Sequence, residues 1–183
     1  MSRIKEAFDS RFPEGVILNT DLSSAEVIAL AILSNDQNLI ADILSGRDMH
    51  RYFAAQLFGI KEEEVTKAQR SLVKKFTFAL QYGSGAKGLA AKNGTTVQVA
   101  QNFIDNYYGR YTQVAEWQAT VAAEVAASRM MTDRKGPAGF PLGKGQFESV
   151  TGRIYTFWEQ ESRWGSPSFK PTEMKNYPVN LAA

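Results

Sequence analysis

The sequence predicts an α+β fold dominated by helices, and three observations carry that expectation. Apolar residues recur at helical spacing in a series of segments between residues 27 and 128. Composition then changes after Met131, where Gly136-Pro137, Gly139, Pro141, Gly143 and Gly145 make a turn-rich stretch. Beyond it, residues 147–150 and 153–157 flank Thr151-Gly152 and read as a β-hairpin.

Taken in order, residues 16–18 (Val-Ile-Leu) form a short β-branched run after Pro13 and Gly15, which reads as a strand ending near Asp21. Ser23 and Glu26 have the spacing of a capping box, and residues 27–33 read as a largely buried helix. A second helix is expected over 39–44, ending at Ser45-Gly46, and a third over 50–58, ending at Gly59. The best-marked helix runs from an N-cap at Thr66, with Gln69 three positions on, to a stop at Gly83. Two more follow over 97–108 and 114–128. The last stretch, with Pro167, Pro171 and Pro178, reads as irregular.

With 183 residues the chain can bury one real core. It has no cysteine, which excludes a disulfide framework and a thiolate metal site and fits a reducing, cytoplasmic setting. No run approaches the ~20 apolar residues of a membrane span. Net charge is only +2, so any nucleic-acid binding has to come from local clusters of Lys and Arg.

The helix over 66–82 carries the most chemistry. Arg70, Lys74, Phe78 and Tyr82 are spaced four apart. Each step of four drifts ~40°, so the four share a stripe about 120° wide. Leu72, Val73, Phe76 and Leu80 fall largely on the other side and can bury it. Two cations followed by two flat rings suit a nucleoside triphosphate. The same spacing also fits a solvated face whose aromatics cover core. Asp21, where a strand gives way to a helix, is placed as a catalytic or metal-binding carboxylate, or as a turn residue. Glu26 has the capping box as its plainer role, and His50 is the only histidine.

In sequence order these elements resemble family A (DNA polymerase I-like) DNA polymerases, with a phage-type flavour. Residues 21–26, Asp-Leu-Ser-Ser-Ala-Glu, resemble motif A, Asp-Tyr-Ser-Gln-Ile-Glu, and Leu33-Ser34-Asn35-Asp36 resembles its Leu-Ser-Gly-Asp continuation. Asp48-Met49-His50 resembles Asp-Ile-His. Arg70, Lys74, Phe78 and Tyr82-Gly83 have the offsets of motif B on the fingers helix. Residues 107–117 resemble the Tyr-x-x-Tyr-Pro-x-Val element, Thr151-Gly152-Arg153 a Gly-Arg-Arg hairpin, and residues 176–179 the Asn-x-Pro segment before motif C.

The resemblance implies a partial palm over 1–36, fingers over 37–130, and a palm-return hairpin and tail over 131–183. It implies that Asp21, with the Leu22 carbonyl, holds one side of a two-Mg²⁺ site, and that Lys74 is the general acid toward pyrophosphate. His50, Arg70 and Lys74 are expected to grip the triphosphate, and Phe78 to pack on the sugar and discriminate against dideoxynucleotides. Glu26 is expected to exclude the ribose 2′-hydroxyl, and Tyr82 to stack at the templating position. Arg153 and Asn176 are expected to touch a DNA primer–template. Deoxynucleoside triphosphates and DNA are therefore the implied partners, with no membrane.

Departures from the pattern matter too. Leu22, Ser24 and Ile28 replace the usual Tyr, Gln and Arg, which touches template and primer contacts rather than the metal ligand. A His-Asp-Glu motif C does not occur in residues 1–183, and Asn180 stands where the family has Gln. The expectation is a chain inactive alone, working with a second polypeptide that supplies motif C. The alternatives are a truncated remnant without turnover and a replisome interaction module that docks through an open strand edge at residues 16–18.

Overall fold

The computed structural model describes residues 10–16, 24–162 and 165–180. The expected strand at 16–18 falls outside these residues except for Val16, which is exposed and in no regular element. Asp21, Leu22 and Ser23 also lie outside them.

Eight α-helices, a short 3-10 turn (Glu62–Glu64) and five strands follow one another among the described residues. α1 (Ala25–Ser34) ends at Asn35, whose φ of 51° is a left-handed conformation that Asn tolerates. α1 is only half buried. Ala29, Leu30 and Ala31 face inward, whereas Ile28 and Ile32, four apart, are exposed. The expected capping box involves Ser23 and so lies outside the described residues; within them the Glu26 carboxylate accepts a hydrogen bond from the Tyr82 hydroxyl at 2.9 Å.

α2 (Gln37–Leu44) and α3 (Met49–Phe58) are each capped by an aspartate, Asp36 and Asp48. α4 (Lys67–Gln81) begins with the expected box: Thr66 Oγ1 accepts from the Gln69 N–H, and Gln69 Oε1 accepts from the Thr66 N–H. It ends at Tyr82, followed by Gly83 at φ 77°. α5 (Ala86–Asn93) was not legible, since Gly83, Gly85 and Gly88 look like loop; it closes on Gly94 at φ 63°. α6 (Val97–Arg110) and α7 (Thr112–Ala127) complete the helical body.

The main core joins α1 to α6 with the start of α7. At its centre Phe53, Phe76, Phe103, Tyr107 and Tyr111 form an aromatic cluster, with centroid separations from 5.1 to 6.0 Å. Edge-to-face pairs of this kind add about 1 kcal/mol each beyond their buried area.

Two buried carboxylates fix how these helices meet. Asp36, 1% exposed, accepts from the Leu39 N–H through Oδ1 and from the Gln113 and Val114 N–H groups through Oδ2. One side chain thus caps α2 and α7 together. Asp42, 4% exposed, takes a two-pronged grip from Arg110 at 2.6 and 2.7 Å and a hydrogen bond from the Tyr111 hydroxyl at 2.8 Å. Arg47 adds a charge at 3.8 Å, and the Tyr52 ring lies beneath both Arg47 and Arg110. Burial pushes the Asp42 carboxyl up, but the Arg110 and Tyr111 hydrogen bonds and the two arginine charges outweigh it and hold it below the ordinary value.

The expected hairpin at 147–157 is present as part of a larger meander. β1 (Met130–Lys135), β2 (Pro141–Glu148) and β3 (Ile154–Trp158) form an antiparallel sheet in that order, with Gly152 at φ 78° in the β2–β3 turn. Gly136 and Gly139 do turn the chain between β1 and β2, but Gly143 and Gly145, which also read as turns, hid the first half of β2. These two are strand glycines of close approach. A Cβ on Gly145 would collide with the Val125 carbonyl and come within 2.9 Å of Val125 Cγ1, so its absence lets α7 lie flat on β2. At Gly143 a Cβ would come within 2.9 Å of Glu159 Oε2, the atom that accepts from the Gly143 N–H.

The tail departs most from expectation. It folds into a small hairpin, β4 (Gln160–Ser162) with β5 (Gly165–Ser168), and a helix, α8 (Pro171–Asn180). Pro171 occupies the first helical position, where its missing N–H costs nothing, and Pro178 withholds a donor only near the end. Packing decides the rest. Met174 joins the core under the sheet, and Val179 joins the main core.

Candidate functional site

The stripe on α4 is present and outward-facing. Phe78 is 44% and Tyr82 41% exposed, while Val73, Phe76, Thr77 and Leu80 on the other side are buried. The helix therefore spends its apolar face on the core and leaves its cations and two rings to solvent.

α3 supplies the second wall. Asp48, already the cap of that helix through the Arg51 N–H, holds Arg70 Nε at 2.6 Å with its other oxygen. Burial raises the Asp48 carboxyl, yet the Arg70 hydrogen bond, the Arg51 N–H and nearby positive charge bring it below the ordinary value. His50, the second residue of α3, is half-buried, and its Nδ1 has no hydrogen-bond partner among the described residues. Burial depresses its pKa, Arg70 and Lys74 depress it further, and Asp48 offsets part of this. The imidazole is held neutral beside two fixed cations, which is unfavourable for a proton and favourable for an arriving anion.

On the opposite side, α4 and α5 enclose an open groove of about 610 Å³. α4 contributes Lys74, Lys75, Phe78 and Tyr82 to it, and Ser84, Lys92 and Asn93 come from the following turn and α5. No carboxylate lines it. Lys74 Nζ lies 5.8 Å from the Phe78 ring centroid, so cation and ring sit side by side.

Of the residues singled out in the sequence, His50, Arg70 and Lys74 are brought together across α3 and α4. Tyr82 is tied to Glu26 at the start of α1. Arg153 is placed elsewhere, in the β2–β3 turn, with its guanidinium over the Tyr155 ring at 5.4 Å, and Asn176 lies within α8. Among the described residues no group of three or more His, Cys, Asp or Glu converges as a metal cage. Asp48, Lys75 and Lys92 join this region although the sequence pattern assigns them no role. Asp48 could be found from its position ahead of His50, but Lys92 belongs to a helix that was not legible.

A helix bearing Arg, Lys, Phe and Tyr on one face, beside a carboxylate-free groove, is a surface suited to an anion that carries a flat ring. The family model described as DNA polymerase family A matches residues 1–136, and the chain belongs to that family. DNA polymerase I of Pseudomonas aeruginosa is 36% identical over 125 residues, which cover 68% of this chain and 14% of that protein. DNA polymerase I of Geobacillus stearothermophilus is 30% identical over 130 residues, 71% of this chain and 15% of that protein. Among solved structures, the POL domain of Pol1 from M. smegmatis, in complex with DNA primer-template and dNTP, superposes with a TM-score of 0.51 at 27% identity. That match covers 66% of this chain and 21% of the other. The chain thus spans a small part of the length of these relatives.

Proposed function

We propose that this chain supplies the incoming-nucleotide grip of a template-directed DNA polymerase, together with one side of its metal site. The observation that carries the reading is the exposed Arg70–Lys74–Phe78–Tyr82 face of α4, backed by His50 and hydrogen-bonded to Glu26 next to the motif A segment. On this reading residues 37–130 are the fingers, and residues 1–36 and 131–183 belong to the palm. Arg70, Lys74 and His50 bind the triphosphate. Lys74 is assigned to pass a proton to the leaving pyrophosphate. Phe78 packs on the sugar and, lacking a hydroxyl, disfavours dideoxynucleotides. Tyr82 stacks at the templating base, and its hydroxyl positions Glu26 to exclude a 2′-hydroxyl. Arg153 and Asn176 are assigned to the primer–template.

The Asp21 carboxylate and Leu22 carbonyl are hard oxygen donors of the kind Mg²⁺ takes, so they fit one side of the ion site. The paired ions, when bound, activate the primer hydroxyl and stabilise charge on the transferred phosphoryl group. A two-ion site needs a second carboxylate in the motif C context. It has to come from outside residues 1–183, in the same or a second polypeptide.

Calorimetric titration with a deoxynucleoside triphosphate tests the grip. Arg70→Ala and Lys74→Ala should each weaken binding about tenfold, the scale of one lost charge-assisted hydrogen bond at about 1.4 kcal/mol. Affinity untouched by both substitutions would falsify the assignment of this face.

A further inference from the structure

Asp48 has no place in the α4 stripe or in the roles proposed above, yet it is bonded to the first cation of the grip. Its two oxygens have different partners. Oδ1 accepts from the Arg51 N–H at 3.1 Å and caps α3, whereas Oδ2 accepts from Arg70 Nε at 2.6 Å. With Nε taken, the outer fork of the guanidinium, Nη1 and Nη2, makes no hydrogen bond to a described residue. That fork carries two parallel N–H groups, which match a pair of phosphate oxygens.

The ion pair is not needed to join the helices. Arg51 Nη1 donates to the Glu62 and Val65 carbonyls at 2.8 and 3.3 Å, which ties the start of α3 to the segment leading into α4. Phe53 of α3 and Phe76 of α4 are both buried in the main core. The pair leaves 40% of the Arg70 side chain and 35% of the Asp48 side chain exposed, and ion pairs so open to water add little to stability. What the contact does fix is a long, flexible side chain, whose freedom an arriving anion would otherwise have to remove. The carboxylate also sets a negative charge near that anion, but salt and solvent screen a charge this exposed, and they do not undo the orientation of the fork. We propose that Asp48 is a positioning residue: it holds Arg70 by Nε and so presents the Nη1–Nη2 fork to two oxygens of the triphosphate. The inference rests on the nucleotide-grip reading and deepens it with a residue that acts through Arg70 alone.

The test is a double-mutant cycle on the full chain, read by calorimetric titration with deoxythymidine triphosphate at physiological ionic strength. Its members are wild type, Asp48→Ser, Arg70→Ala and the two together. Serine caps a helix about as well as aspartate, so Asp48→Ser should melt at the wild-type temperature by circular dichroism. It should weaken binding roughly fivefold, less than the roughly tenfold expected for Arg70→Ala, because the cation stays and only its orientation is lost. In the Arg70→Ala background, Asp48→Ser should change nothing further. Asp48→Asn, whose single oxygen serves the cap while its amide cannot accept from Nε, should reproduce both results. By NMR, the Arg70 Nε–H signal should be protected from solvent exchange with and without the triphosphate, and should lose that protection in Asp48→Ser. Binding unchanged or tighter in Asp48→Ser would overturn the proposal, since charge rather than orientation would then decide. So would an equal loss in the Arg70→Ala background, which makes the role of Asp48 structural. Loss of Nε–H protection when the triphosphate is added to wild type would overturn it too, by making Asp48 a displaced counter-ion. Failure of the parent reading shows separately, as triphosphate binding indifferent to Arg70→Ala and Lys74→Ala.

Discussion

Two sets of charges on the same helical body behave in opposite ways. Around Asp42, every charged group has its partner inside the chain: Arg110 on two prongs, Arg47 beside it, Tyr111 donating and Tyr52 stacked beneath. Along the α4–α5 groove, Lys74, Lys75 and Lys92 have no ion-pair partner among the described residues, and the groove holds no carboxylate. The first set is closed and the second open. Closed charges orient helices, because any change of packing would expose an uncompensated buried ion. Open charges add nothing to the fold and are held ready for something that arrives. Arg70 and His50 lie between the two, one paired and one kept neutral.

Substitutions should separate the two sets. The largest effect is expected at Asp42→Ala, which strands Arg110 and Tyr111 and should cost about 3 kcal/mol, a fall of roughly 10 °C in melting temperature by calorimetry. Next comes Asp36→Ala, which uncaps α2 and α7 at once. A loss of about 2 kcal/mol is expected in urea unfolding, with the slope unchanged. A smaller, pH-dependent effect belongs to His50. Its pKa is depressed in the folded chain, so the unfolded chain binds the proton better. Its share of stability is complete above its ordinary value of 6.5 and is lost as pH falls through the lower folded value. Histidine-to-glutamine substitution at position 50 should flatten the stability profile between about pH 7 and pH 5. In the wild type, triphosphate binding should take up a proton, measured by calorimetry in buffers of different ionisation heat. The smallest effect is expected at Lys74→Ala, Lys75→Ala and Lys92→Ala, each within about 0.5 kcal/mol of wild-type stability. A loss above that from any of the three would show that the open set is not open.

The difference between closed and open also explains what the sequence could reveal. The α4 stripe was legible because a four-residue period is a property of one helix, and the Thr66–Gln69 box and Gly83 mark its ends. Most of the helical body was legible for the same reason. Asp36 and Asp42 were not, because their partners lie far away in the chain and no local pattern joins them. α5 and the first half of β2 were hidden by glycine. Glycine signals a turn by default, and at Gly143 and Gly145 it serves close packing instead. The prolines of the tail mislead, since Pro171 starts a helix rather than preventing one. Lys92 is hidden along with the helix that carries it. Asp21 and Leu22 rest on the family pattern alone.

Val179 of α8 packs into the same core as Leu30 of α1, and Met174 of the same helix closes the core under the sheet. The two cores are therefore finished by one late segment of the chain. During synthesis, α1 to α7 emerge and collapse with one side unsealed, and α1 waits for α8 before its contacts are complete. That closure has the longest loop of the fold to overcome, so it should be a slow, late step. Until it occurs, the nascent chain leaves open the side of the α1 core that Val179 covers.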